Sequence, residues 1–242
     1  MKTTKIFAAL CCVAALFAAC EPQTNDPNNG QNNNNSNQNG EDASGSANGY
    51  DYVDLGLPSG LKWATCNVGA DKPEGYGDYF AWGEVESKPI CDWSTYKWCK
   101  GSSTTQTKYC TDSEYGVVDN KTVLDLADDA AHANWGGKWR MPTEAEWTEL
   151  REKCTWTWTT IHGVPGYEVK SKVNSNSIFL PAAGLCGGTG LYLLGENGYY
   201  WSSSLESDSY PYCAWCVAFS LGGYDSDFDG RYCGNSIRPV LK

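Results

Sequence analysis

The chain has 242 residues, a formal charge of −11 at pH 7 and 13% aromatic side chains. So acidic a chain lacks the electrostatic footprint of a nucleic-acid binder and does not suit an anionic membrane surface. Its 41% apolar fraction is ample for one sizeable core.

Residues 1–19 read as a signal peptide. Lys2 and Lys5 supply the positive end, and Ile6 to Ala19 is an apolar run closing on small residues. That run is shorter than the roughly 20 residues a membrane-spanning helix needs. Phe17-Ala18-Ala19-Cys20 resembles a lipobox, in which Cys20 is lipidated and becomes the mature N-terminus. The alternative is ordinary secretion, since Phe17 stands where an aliphatic residue is usual. Residues 20–49 add to this cysteine a run of Asn, Gln, Gly, Ser and acids without an aromatic side chain, which reads as a disordered linker. Such a linker reaches roughly 30 Å and would hold a domain clear of the membrane.

Residues 50–242 then form one domain without repeats. Tyr50–Leu55 and Leu61–Cys66 are expected strands around a turn at Pro58-Ser59-Gly60. Pro89 to Lys121 is polar and irregular, which predicts a long surface excursion. Leu124–Ala133 is an expected short helix with Asp125, Asp128 and Asp129 near its start. The next helix is better specified. Thr143 is its N-cap, Glu146 completes a capping box, and Trp147, Leu150 and Cys154 share a face. Strands are expected at Cys154–Thr160, Glu168–Val173, Ser177–Pro181, Tyr199–Ser203, Tyr212–Ser220 and Ser236–Val240. Helices early and antiparallel strands later make an α+β order.

Twelve cysteines are many, and nine of them fall in the domain. In an exported protein some should be disulfide-bonded, and an odd number leaves one over. Cys213-Ala214-Trp215-Cys216 spells CxxC but lies in a strand-like run, where residues i and i+3 face opposite ways, so two structural thiols or half-disulfides are the expectation. His132 and His162 are the only histidines, which excludes a zinc–histidine cluster. No G-x-S-x-G elbow occurs.

Two features address binding. Trp156, Trp158, Tyr199, Tyr200 and Trp201 could stack on sugars, although alternating strand aromatics usually belong to a core. Asp225, Asp227 and Asp229 form a D-x-D-x-D-G run that, in a compact turn, could converge on calcium; a solvated acidic tip is the competing reading, and no other cofactor is implied. Asp225 to Asp229 would then need a cation or a base, with Arg231 and Arg238 the nearest bases in sequence.

Trp139-Arg140-Met141-Pro142-Thr143-Glu144-Ala145-Glu146-Trp147 is similar to the W-R-x-P-T-x-x-E-W signature of the Fibrobacter succinogenes major paralogous domain family. The resemblance continues through V-D-L-G-L-P-S-G-L-K-W-A-T-C-N-V-G-A (53–70), Y-G-D-Y-F-A-W-G-E (76–84), S-I-F-L-P-A-A-G (177–184), G-Y-Y-W-S-S-S (198–204) and S-I-R-P-V (236–240). It implies a C-type-lectin-like mixed fold with two short helices, a largely antiparallel twisted sheet and long loops. It also implies that Tyr52–Leu55 meets Ser236–Leu241 in one sheet. The function implied is that of a lipid-anchored protein of the outer membrane or cell surface that binds an extracellular glycan or protein, without catalysis. The same helix start also looks like that of formylglycine-generating domains, which makes an oxidase of that type the enzyme alternative. However, the catalytic cysteine segment has no counterpart, because Tyr199-Tyr200-Trp201-Ser202-Ser203-Ser204 stands in its place. A structural part of an envelope assembly is a third reading. No residue pattern names the ligand, its site or an oligomeric state.

Overall fold

Two helices, α1 (Ala130–Trp135) and α2 (Glu144–Lys153), are the only α-helical elements in the computed structural model, which describes residues 44–242. Helix α2 begins as its sequence dictates. Thr143 Oγ1 accepts from the Glu146 N–H at 3.3 Å, and the Glu146 carboxylate accepts from the Thr143 N–H at 2.8 Å. Arg140 clamps the same carboxylate with both terminal nitrogens, at 2.7 and 2.6 Å. Trp147 and Leu150 are buried, and Trp147 Nε1 donates to the Trp201 carbonyl at 3.2 Å. Thr143→Ala is expected to lower stability by about 1 kcal/mol in denaturant titration.

Burial raises the Glu146 carboxyl, but the Arg140 fork and the Thr143 N–H more than offset it, so its pKa lies below the ordinary value. The sign for stability follows from that direction. The contribution is complete above the unfolded-state pKa near 4.5 and is lost as the pH falls through the lower folded value. Denaturant titrations from pH 6 to pH 3 should show Glu146→Gln losing less stability on acidification than the parent chain.

Four small sheets surround these helices, nearly all antiparallel. The first joins β1 (Ser44–Ala47), β2 (Tyr50–Asp54), β3 (Lys62–Ala64) and the C-terminal β12 (Val240–Leu241), in the order β1-β2-β3-β12. Val53 lies opposite Trp63, and Trp63 opposite Val240, so β2 and β12 flank β3 in one sheet as expected. The second sheet orders β4 (Cys154–Ile161), β5 (Val164–Ser171) and β6 (Ser177–Pro181). A two-stranded ribbon pairs β7 (Leu185–Gly187) with β8 (Gly190–Tyr192). The last sheet orders β11 (Gly223–Gly230), β10 (Cys213–Ser220) and β9 (Asn197–Leu205). Mostly antiparallel strands with two helices are a small α+β fold.

Two aromatic cores fill the interior. Trp63, Trp147, Tyr200 and Phe219 anchor one, beneath α2 and between the sheets; Trp82, Trp139, Trp201 and Tyr109 anchor the other. Arg238 is fully buried where the chain closes. It donates to Asn67 Oδ1 (3.0 Å) and to the carbonyls of Ala64 (3.1 Å), Thr65 (3.0 Å) and Phe179 (2.8 Å).

Several expectations are corrected. The linker expected through Gly49 gives way by Ser44, because Asn48 and Gly49, at φ 51° and 85°, turn β1 back onto β2. The helix expected at Leu124–Ala133 is a 3₁₀ turn, Leu126–Asp128, followed by α1, whose N-cap Asp129 accepts from the His132 N–H at 3.0 Å. Ser236 makes one isolated bridge, to Tyr200, and residues 237–239 none, so of the expected strand Ser236–Val240 only Val240 is strand, paired together with Leu241. The excursion from Pro89 to Lys121 is irregular as expected, yet it is not confined to the surface: Cys91, Tyr96, Gln106, Tyr109 and Cys110 are buried. All nine domain cysteines stand as free thiols in the structure.

Candidate ligand-binding surface

The three-stranded sheet β11-β10-β9 carries different chemistry at its two ends. On one face of the β10–β11 ladder, Trp215 opposes Phe228, Val217 opposes Ser226, and Phe219 opposes Tyr224. Tyr200 on β9 lies beside Val217 on that face. The Phe219 end is core, stacked on Tyr200 at 5.6 Å and edge-on to Tyr167 at 5.3 Å. Helix α2 covers the next step, where Ser226 Oγ donates to Glu144 Oε1 at 3.2 Å. Glu144 is the first residue of that helix, so cover runs out one strand step later, and Trp215 and Phe228 are only half-buried.

From there a row of rings continues across the surface. Phe228 stacks on Tyr210 at 5.0 Å, Tyr210 meets Tyr212 at 6.0 Å, and Tyr212 meets Tyr115 at 5.5 Å. Tyr210 is 40% exposed. Burial holds the Tyr212 hydroxyl above the ordinary phenol range, so it remains a proton donor. Beside the rings, the stretches 111–118 and 207–211 enclose an open cleft of about 500 Å³. Asp112, Glu114 and Asp208 contribute carboxylates to it, and Thr111 presents a buried hydroxyl without a partner.

These walls lack helix or strand, so side chains must hold them. Arg231, fully buried, donates to the carbonyls of Lys108 (2.9 Å), Tyr109 (2.9 Å) and Pro211 (3.5 Å) and to the Tyr96 hydroxyl (3.0 Å). It therefore ties both sides of the cleft together while its cation lies over the Trp82 and Tyr96 rings, each 5.3 Å away. The buried Glu206 carboxylate accepts the N–H groups of Asp208, Ser209 and Tyr210 and so shapes the other wall. Asp119 does the same for Tyr109 (2.9 Å) and Cys110 (3.0 Å).

The residues expected to bind from sequence lie elsewhere. Asp225, Asp227 and Asp229 are not in a turn but on the other face of β11, where alternate residues are separated by about 7 Å. Each has a partner within the protein: Asp225 pairs with Arg151, Asp227 accepts from the Phe228 N–H at 2.9 Å, and Asp229 accepts from Cys233 Sγ at 3.2 Å. Neither Arg231 nor Arg238 reaches them. Among the described residues no group of three His, Cys, Asp or Glu could hold a metal ion. Of the five aromatic candidates, Trp156, Tyr200 and Trp201 are core, while Trp158 and Tyr199 are half-buried beside it. Cys213 and Cys216 do face opposite sides of β10, and burial raises both thiols, Cys213 to about 12. That is the reverse of a redox-active pair. Cys20 and the segments before Ser44 lie outside the described residues.

The rings that form the surface row were missed because strand alternation marks a core face without marking where its cover stops. The dipeptides around Pro211, with Tyr210 and Tyr212 in a turn, were the available signal. A scan against protein-family models matches none, and searches of curated proteins and of solved structures return no match.

Proposed function

We propose that this chain is a non-catalytic binding protein displayed outside the cell, and that its ligand is a glycan held on the row Trp215–Phe228–Tyr210–Tyr212–Tyr115. The half-buried ring row beside an acidic, hydroxyl-rich cleft carries this reading. Ring faces stack on the apolar faces of sugars, while carboxylates and hydroxyls accept from and donate to sugar hydroxyls. The signal peptide, lipidation at Cys20 and the linker read from the sequence would anchor it at the outer membrane or cell surface. The resemblance to the Fibrobacter succinogenes major paralogous domain family, with its C-type-lectin-like fold, supports the same reading through β2 and β12, which flank β3 in one sheet. Raised cysteine pKa values in β10 weigh against oxidase chemistry there.

A glycan array with the purified chain, followed by calorimetry on any hit, tests this. Trp215→Ala and Tyr212→Ala are each expected to weaken binding by about tenfold, roughly 1.4 kcal/mol, while the soluble chains keep the parental circular dichroism. Full retention of glycan affinity in both variants would move the site elsewhere. Capture of a protein partner with no glycan bound at millimolar concentration would replace the ligand class.

A further inference from the structure

We infer that Cys91 and Cys186 are a site of covalent modification: they form a disulfide that staples the irregular 89–121 stretch to the ribbon β7–β8. Two backbone clasps bring them together. Cys91 and Gly188 exchange N–H···O bonds of 2.7 and 2.8 Å, and Cys186 and Gly234 exchange bonds of 2.7 and 2.9 Å. A Cβ built on Gly234 would lie 2.7 Å from Cys186 Cβ and 2.9 Å from Cys91 Sγ. Both cysteines therefore converge on the space that this glycine leaves empty, and both are buried. Burial and the adjacent Cys186 thiol together push the Cys91 thiol up to about 12.

The other described cysteines have other engagements. Cys233 Sγ donates to Asp229, Cys110 Sγ to the Asp112 carbonyl at 3.1 Å, and Cys99 Sγ to the Trp93 carbonyl at 3.2 Å. Cys66 Sγ lies 3.5 Å from Thr65 Oγ1. Cys213 and Cys216 point to opposite faces of their strand, and Cys154 is in the core beneath α2.

In the reaction the two thiols lose two protons and two electrons to a small-molecule disulfide. One S–S bond forms between Cys91 and Cys186, and the donor's S–S bond becomes two thiols. The proposed export would place the chain among such oxidants, but the chemistry can be tested with oxidised glutathione alone. The reduced full chain is unfolded, refolded with oxidised glutathione, alkylated in denaturant and digested without reductant for mass spectrometry. The expected product is a peptide linked through Cys91 and Cys186, with two glutathione thiols released per bond. Once formed, the bond should resist dithiothreitol until denaturant is added, since both sulfurs are buried. Reduction, Cys91→Ser and Cys186→Ser should each lower the melting temperature by roughly 10 °C, and the double variant should fall no further. Alkylation of both cysteines after refolding, or linkage of Cys91 to Cys233, would overturn the assignment. The mapping of the parent chain stands even if a serine variant fails to fold.

Discussion

Arg231→Met is expected to destabilise the protein by about 3–5 kcal/mol and to abolish ligand binding in whatever fraction remains folded. The guanidinium has no carboxylate partner. Its bonds go to three backbone carbonyls and one hydroxyl, drawn from both walls of the cleft. Methionine fills the stem's volume but leaves those acceptors buried and unpaired, and each unsatisfied group costs about 1–3 kcal/mol. Arg231→Lys should recover little, because an ammonium cannot reproduce the planar fork that spans Lys108, Tyr109 and Pro211. Chemical denaturation of the three chains side by side measures the effect. A loss below about 1 kcal/mol in the methionine variant would mean that the walls hold each other without the arginine.

Gly116→Ala should act on the same surface through the backbone. Gly116 has φ +151°, and an added Cβ would lie 2.1 Å from the Gln106 carbonyl oxygen and 2.6 Å from the Gln106 nitrogen. No rotamer relieves a clash with backbone, so the chain must part here. Parting breaks the Gln106 N–H bond to the Tyr115 carbonyl (2.7 Å) and the Val117 N–H bond to the Gln106 carbonyl (2.9 Å). The expected loss is about 2–4 kcal/mol, or a folded protein whose Tyr115 loop has let go. Hydrogen exchange distinguishes the two outcomes. The amides of Gln106 and Val117 should lose protection selectively, while those of β9 and β10 keep it. Unchanged protection at both amides would show that the loop can absorb a methyl group.

Only the surface row is tied to these two residues. The row needs Tyr115 and Tyr212 in register, which depends on the loops that Arg231 and Gly116 hold. The cysteine pair needs only the clasps at Gly188 and Gly234. Losing ligand binding in Gly116→Ala while the disulfide still forms would separate the two.

Much of the local structure follows from neighbours in sequence. The capping box of Thr143 and Glu146, the Pro58-Ser59-Gly60 turn, the hairpin strands β4 to β6 and the alternation within β10 rest on contacts a few residues apart. The Asn48-Gly49 turn was equally local and legible, but the polar run before it masked the signal. The D-x-D-x-D-G run misled for the opposite reason. Alternating aspartates look like a cation-binding turn in isolation, and only pairing with all eight residues of β10 makes them a strand.

By itself the sequence determined where helix α2 starts, which strands alternate and that the chain is acidic. These are consequences of short-range hydrogen bonding, side-chain periodicity and composition. Only the tertiary structure decided which aromatic rings are core and which remain at the surface, because that depends on where α2 stops covering β11. It also decided that Arg231 joins residues more than 120 positions away and that Gly234 leaves room for Cys91 Sγ beside Cys186. Such contacts are set by packing across sheets, and no local pattern in the chain encodes the distance between them.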